Sequence, residues 1–155
     1  MKVLFSTIVR TDYFELNEDM SVLINGKEYK NTIKCVFVEF LHRLYYGLDE
    51  QTCSKYIKEK LSKSIIQQLF YWACIKGYVE LLPIFIENGA SISKYDEAHG
   101  CTGLHYACAA LQNEVVEFLI QRGAKCNVKD KEGKKLPLQI YIEALRRKNA
   151  DKAGE

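Results

Sequence analysis

Three side chains able to do chemistry fall close together: Cys101, His105 and Cys108, spaced C-x3-H-x2-C, with Cys126 further on. Four soft ligands of this kind would suit a tetrahedral zinc ion. A cysteine beside a histidine could also form a nucleophile and base pair. That requires a thiolate, an oriented imidazole and an oxyanion donor within hydrogen-bond reach. The other histidines have no such company: His42 lies among Phe40, Leu41 and Leu44, and His99 sits in a turn-like run. No Gly-rich phosphate loop, HExxH or GxSxG motif occurs. What decides between these chemistries is the element that carries the residues.

That element runs from Thr102 to Asn127, T-G-L-H-Y-A-C-A-A-L-Q-N-E-V-V-E-F-L-I-Q-R-G-A-K-C-N. Thr102 opens a short helix carrying Leu104, His105, Ala107 and Cys108; Leu111, Gln112 and Asn113 break it. A second helix carries Val115, Val116, Phe118, Leu119 and Ile120 at helical spacing. Gly123 stops it, as a C′ glycine able to turn left-handed should. Shifted back by 34 residues, the stretch falls on Gln68 to Ser93 without a gap. Ala73 then meets Ala107, Cys74 meets Cys108, and Gly89-Ala90 meets Gly123-Ala124. Shifted forward, Pro137-Leu138-Gln139 fall under Gly103-Leu104-His105. A period in the low thirties is the mark of stacked helical hairpins.

These residues resemble the ankyrin repeat, whose pattern is T-P-L-H-x-A, a Gly-containing turn, a V-x-x-L-L helix and G-A-D-x-N. The resemblance implies two full repeats, about 65–97 and 98–130, and a C-terminal half-repeat at 131–149. It gives His105 a structural hydrogen-bonding task at the turn. Cys74 and Cys108 become small inner-helix residues, and Cys126 replaces a valine. No metal, cofactor or catalytic residue is therefore expected. By the same resemblance, partner contacts fall on Tyr95, Glu97, His99 and Cys101 in the first turn. Lys131, Glu132 and Lys134 belong to the second turn, and Ile75, Lys76, Ala109 and Ala110 to the inner helices. Three departures from the pattern stand out. Asp96 to Gly100 is one residue longer than D-x-x-G, Leu111 replaces the inter-helix glycine, and Gly103 replaces the proline.

A chain of 155 residues, 48% hydrophobic and 27% charged, is long enough for a real core and reads as an ordinary soluble globular protein. No N-terminal stretch has the order of a signal peptide, and no apolar run could span a bilayer. The six cysteines are widely spaced with no CxxC, so thiols in the cytoplasm or nucleus are expected.

Residues 1–62 do not follow the repeat and read as a small α+β capping segment. Val22-Leu23-Ile24, Asn25-Gly26 and Lys27-Glu28-Tyr29 have the form of a β-hairpin with a type I′ turn. Asn31 or Thr32 would cap a helix over about 32–45 carrying Val36, Phe37, Phe40, Leu41 and Leu44, which Gly47 ends. A further helix follows over about 50–61, from Asp49 or Thr52. Val38-Glu39-Phe40-Leu41 echoes Val116-Glu117-Phe118-Leu119, but the spacing of 78 is no multiple of 34, and the echo reads as chance likeness. V-L-I-N-G-K-E-Y alone resembles the start of BTB/POZ and winged-helix domains. At the other end, Pro137 to Leu145 should form the first helix of a third unit. There the apolar pattern fails at Arg146-Arg147-Lys148, and a frayed polar tail is expected over 150–155. The fold expected is mostly α: a short ankyrin-repeat solenoid behind an α+β segment with a β-hairpin.

Charge is uneven along the chain. Residues 121–155 hold ten Lys or Arg against five Asp or Glu, while 61–120 hold three against six. A basic edge around Lys125, Lys129, Lys131, Lys134 and Lys135 would steer an acidic partner. Nucleic acid fits less well, because no aromatic platform is interleaved with the lysines and the net charge is only +2. The tyrosines near Tyr45-Tyr46, Tyr71-Trp72 and Tyr78 are expected to pack segment against first repeat. The function expected is non-catalytic protein binding through turn tips and the concave inner-helix face. Two alternatives stand beside it. One is a regulatory protein whose N-terminal segment self-assembles in BTB fashion or contacts nucleic acid; the other is a recognition part of a larger enzyme.

Overall fold

A computed structural model describes residues 2–4, 13–16, 22–24, 27–29, 38, 41–42, 45–47, 49–97 and 99–154. Four short strands, β1 (Lys2–Leu4), β2 (Tyr13–Leu16), β3 (Val22–Ile24) and β4 (Lys27–Tyr29), pair antiparallel in chain order. Val22 lies opposite Tyr29 and Ile24 opposite Lys27. Asn25-Gly26, the expected turn, lies outside the described residues, as do Asn31–Phe37, Phe40 and Leu44 of the helix expected next. The described residues within 38–47 are helical.

The elements that follow among the described residues are helices: α1 (Glu50–Lys60), α2 (Lys63–Lys76), α3 (Leu82–Glu87), α4 (Gly103–Ala109), α5 (Asn113–Gln121) and α6 (Pro137–Ala153). The chain divides into two compact units, residues 1–72 with 83–90, and residues 73–82 with 91–155. In the first unit, Asp49 caps α1 by accepting the Thr52 N–H at 2.6 Å, so Asp49 rather than Thr52 starts that helix. Val38, Leu41, Cys53, Ile57, Leu69, Phe70 and Phe85 are fully buried. Each large apolar side chain so buried contributes about 1.5–3 kcal/mol. The Cys53 thiol donates to the Leu41 carbonyl at 3.5 Å, tying α1 to the helical residues before it. Tyr71 is buried edge-on against Phe70, while Tyr46 stands in solvent.

In the second unit α4 lies against both α5 and α6. Leu104, Ala107, Cys108, Val115 and Leu119 are buried, and the small Ala107 and Cys108 let helices approach closely. Thr102 opens α4 and Gly123 closes α5, as the sequence leads one to expect. α6 departs from expectation. It continues eight residues past Leu145 to Ala153, so most of the expected polar tail is helix. Arg146, Arg147, Lys148, Ala150, Lys152 and Ala153 are strong helix formers, and Glu143 pairs with Arg147 one turn on at 3.7 Å.

The reversals between helices share one backbone device. Gly89 (φ +108°) and Gly123 (φ +91°) are left-handed. After each, the alanine N–H reaches back into its helix, Ala90 to Phe85 and Ala124 to Leu119, both at 2.9 Å. This is the Schellman closure, which satisfies carbonyls a helix end would leave bare. The inter-helix position closes similarly. Gly77 (φ +79°) and, 34 residues on, Leu111 (φ +56°) are left-handed, with Tyr78 bonded to Ala73 and Gln112 to Ala107. A third pair is Gly100 (φ +64°) and Lys134 (φ +51°). For a side chain with a Cβ this conformation costs about 1–2 kcal/mol. Lys134 is exposed and carries that cost without packing in return. Lys134→Gly is therefore expected to raise urea-unfolding stability by up to about 1 kcal/mol, the gain trimmed by glycine's greater freedom when unfolded. Gly100→Ala is expected to lower it by about 1–2 kcal/mol or more, since an added Cβ would also press on the Lys131 side chain. Equal stabilities for the two variants would remove the strain argument.

Candidate functional site

The turn residues expected to touch a partner are held by two aspartates 34 positions apart. The Asp96 carboxylate accepts the N–H of Cys101 at 2.8 Å and of His99 at 3.3 Å, and the Asp96 N–H donates to the Cys101 carbonyl at 2.8 Å. Asp130 repeats the arrangement. Its carboxylate accepts from Lys135 and from Gly133, and its own N–H donates to the Lys135 carbonyl at 2.9 Å. Both turns thus close over the same five-residue span, with the left-handed residue at the fourth place. The extra residue between Asp96 and Gly100 therefore does not lengthen the first turn relative to the second. Its glycine has moved one place along, to the position that Lys134 fills in the second turn.

The two turns are tied together. The Lys131 N–H donates to the Gly100 carbonyl at 3.0 Å, and the Tyr95 hydroxyl donates to the Lys129 carbonyl at 3.2 Å. The Lys131 ammonium lies 4.8 Å over the Tyr95 ring, and His99 Nδ1 is 3.5 Å from Glu132. Tyr106 of α4 donates to the Asp96 carboxylate and meets His99 edge-on. Of the expected contact residues, the structure therefore gathers Tyr95, His99, Cys101, Lys131 and Glu132 into one linked row. Glu97 and Lys134 are exposed in the same turns.

His105 lies beneath this row and is buried. The Thr102 N–H can only donate, so Nδ1, 3.0 Å away, accepts; Nε2 then carries the proton and donates to the Val128 carbonyl at 2.9 Å. Both nitrogens are engaged, one in capping α4 and the other in holding the next turn. Gln139, in the same register, accepts the Leu136 N–H at 2.7 Å and caps α6 in the same way. Burial pushes the Cys101 thiol up to about 11, and the carboxylates of Asp130, Asp96 and Glu132 add to the shift. Burial likewise raises Cys108 to about 11. Neither supplies a thiolate at neutral pH. Among the described residues, no group of three or more His, Cys, Asp or Glu could hold a metal ion.

The inner-helix residues lie apart from the turns. Ala109 and Ala110 form one wall of an open cleft of about 420 Å³, whose other wall is Arg147, Lys148, Asp151 and Lys152 of α6. From sequence, Arg147 and Lys148 fall where the apolar pattern of the half-repeat fails and Lys152 falls in the polar tail; the continuation of α6 brings them to the alanines. Only the helix-forming character of 146–153 signals this. Ile75 and Lys76 end α2 half-buried, and the Ile75 carbonyl accepts the Gln112 side-chain amide at 2.9 Å.

The Asp130 clasp gives the turn a pH signature. Burial pushes its carboxyl up, but the Lys135 and Gly133 N–H groups more than offset this, so it sits below the ordinary carboxylate range. A depressed carboxyl contributes stability at and above the unfolded value near pH 4, and that contribution is lost as pH falls through the folded value. Asp130→Asn is expected to cost about 1–2 kcal/mol at pH 7. The variant should then lose less melting temperature than the parent between pH 5 and pH 3. Parallel pH profiles would contradict the role given to the carboxylate.

Comparison with known proteins agrees with the geometry. Residues 37–130 match the family model described as ankyrin repeats (3 copies), which begins inside the segment read as a cap and takes in Val38–Leu41. Over 68 residues, 44% of the chain, the sequence is 34% identical to the E3 ubiquitin-protein ligase hecd-1 of Caenorhabditis elegans, and that stretch is 2% of the ligase. The family match spans more than half of the sequence, and the chain belongs to the ankyrin-repeat family.

Proposed function

We propose that this chain is a non-catalytic protein-binding module, holding its partner on the turn tips and the inner-helix face of its second compact unit. Ankyrin repeats as a class bind other proteins, and such repeats are typically non-catalytic. The observation that carries the reading is the linked row from Tyr95 to Lys131. Variable side chains stand on turns whose backbone is fixed by Asp96, Asp130 and His105, so little order has to be gained on binding. The likeness to the ubiquitin ligase concerns a stretch of 68 residues, 2% of its length, and supports recognition rather than ubiquitin transfer.

The partner carries an acidic patch. Lys125, Lys129, Lys131 and Lys134 are all exposed, in a segment with twice as many cations as anions. Capture of a partner followed by titration against the Lys131→Glu/Lys134→Glu variant tests this. Affinity should fall at least tenfold and lose much of its salt dependence, with folding intact. A partner indifferent to substitutions in both turns would exclude this face.

The N-terminal segment, residues 1–62 with the hairpin at 22–29, serves as the cap of the array. Supporting this, Val38, Leu41, Cys53 and Ile57 are buried in the compact unit that also contains residues 63–72 and 83–90. A chain starting at residue 61 would bare that core, so it should aggregate or melt without cooperativity. A soluble, sharply melting fragment would rule the capping role out.

A further inference from the structure

α6 exposes an apolar stripe that its counterpart hides. In the 34-residue register, Leu138, Ile142 and Leu145 stand where Leu104, Cys108 and Leu111 stand in and after α4. Leu104 and Cys108 are 2% and 4% exposed, because α4 lies against α5 and α6. Leu138 and Ile142 are 64% and 39% exposed, and Leu145 is exposed beside them. The spacing i, i+4, i+7 sets the three side chains on one face of α6, a strip that suits a helix.

Charge says which helix. Arg146 follows Ile142 by four residues, Lys148 follows Leu145 by three and Lys152 by seven, so these cations ring the C-terminal end of the stripe. All three are exposed. The described carboxylates of α6, Glu143 and Asp151, lie round the far side, Glu143 held by Lys135 at 2.8 Å and by Arg147. A second copy of α6 laid on the stripe would bring like charges together, which costs affinity. α5, which lies against α4, has the matching character: Val115 and Leu119 buried, Glu114 and Glu117 exposed.

We infer that the Leu138–Ile142–Leu145 stripe is a docking site for an acidic amphipathic helix of another protein. Apolar residues of that helix at i, i+3, i+4 and i+7 fill the stripe, and its carboxylates face Arg146, Lys148 and Lys152. This surface is separate from the turn tips and does not rest on the reading given to them.

The test uses the whole chain and a fluorescein-labelled 18-residue helical peptide, leucine along one face and glutamate on both flanks, beside a twin with lysine for every glutamate. The acidic peptide should bind at least tenfold tighter than its twin. Leu138→Ser/Ile142→Ser/Leu145→Ser should weaken it at least tenfold. Arg146→Glu/Lys152→Glu, which leaves the stripe intact, should weaken it as much and turn the preference toward the lysine peptide. Lys131→Glu/Lys134→Glu should leave binding unchanged, which separates this surface from the turns. Absence of binding at millimolar peptide, or affinity indifferent to charge sign and to the serine substitutions, overturns the inference. So does a dimer by sedimentation that the serine substitutions convert to monomer, since a second copy would then be the occupant.

Discussion

Everything in the repeated part of this chain depends on making it reverse direction within two or three residues without leaving helix-end carbonyls bare. Left-handed backbone is how the chain does so, at Gly77, Gly89, Gly100, Leu111, Gly123 and Lys134. These positions fall into three pairs 34 residues apart, so the period of the sequence is at root the period of its reversals. Between them, short helices need only enough apolar surface to bury one face. The buried series Leu104, Ala107, Cys108, Val115 and Leu119 meets that need.

The turns that project outward rest on a second repeated device. A carboxylate at Asp96 and again at Asp130 gathers the N–H groups of its own turn, and His105 bridges the start of α4 to the carbonyl of Val128. The same groups that fill the turn's hydrogen-bonding needs fix where Tyr95, His99 and Lys131 stand. Binding surface and folding motif are therefore hard to separate here: weakening Asp130 loosens a turn and disturbs what the turn displays. The cysteines and histidine that first suggest an active site are absorbed by this framework. The imidazole has both nitrogens committed, and burial suppresses the thiolate forms of Cys101 and Cys108.

Much of this was legible from residue types. Thr102, His105, Gly89 and Gly123 announce their tasks because few other residues perform them, and the apolar spacing of α5 leaves little choice of face. Other features were hidden for physical reasons. Leu111 and Lys134 take a left-handed conformation that neither side chain favours, because the backbone closures around them, Gln112 to Ala107 and Asp130 to Lys135, dictate it. The equal span of the two turns was obscured by a glycine sitting one place later in the first. α6 outruns its apolar pattern because propensity and an ion pair continue a helix where burial does not ask for one. That extension carries Arg147, Lys148 and Lys152 to the cleft beside Ala109, which no periodicity reveals.

The Gln112 amide on the Ile75 carbonyl has a consequence for how such an array can grow. The amide lies against Gly77, where any Cβ would collide with it. The joint as it stands pairs a glycine at the end of one inner helix with a glutamine just after the next. The unit containing Gly77 has Tyr78 at the glutamine place, and the unit containing Gln112 has Leu111 at the glycine place. Copied in tandem, the first would meet itself without the amide, and the second would drive a leucine Cβ into it. Glycine and amide meet only in the present order. Lengthening by gene duplication would spoil this joint unless a second substitution came with it.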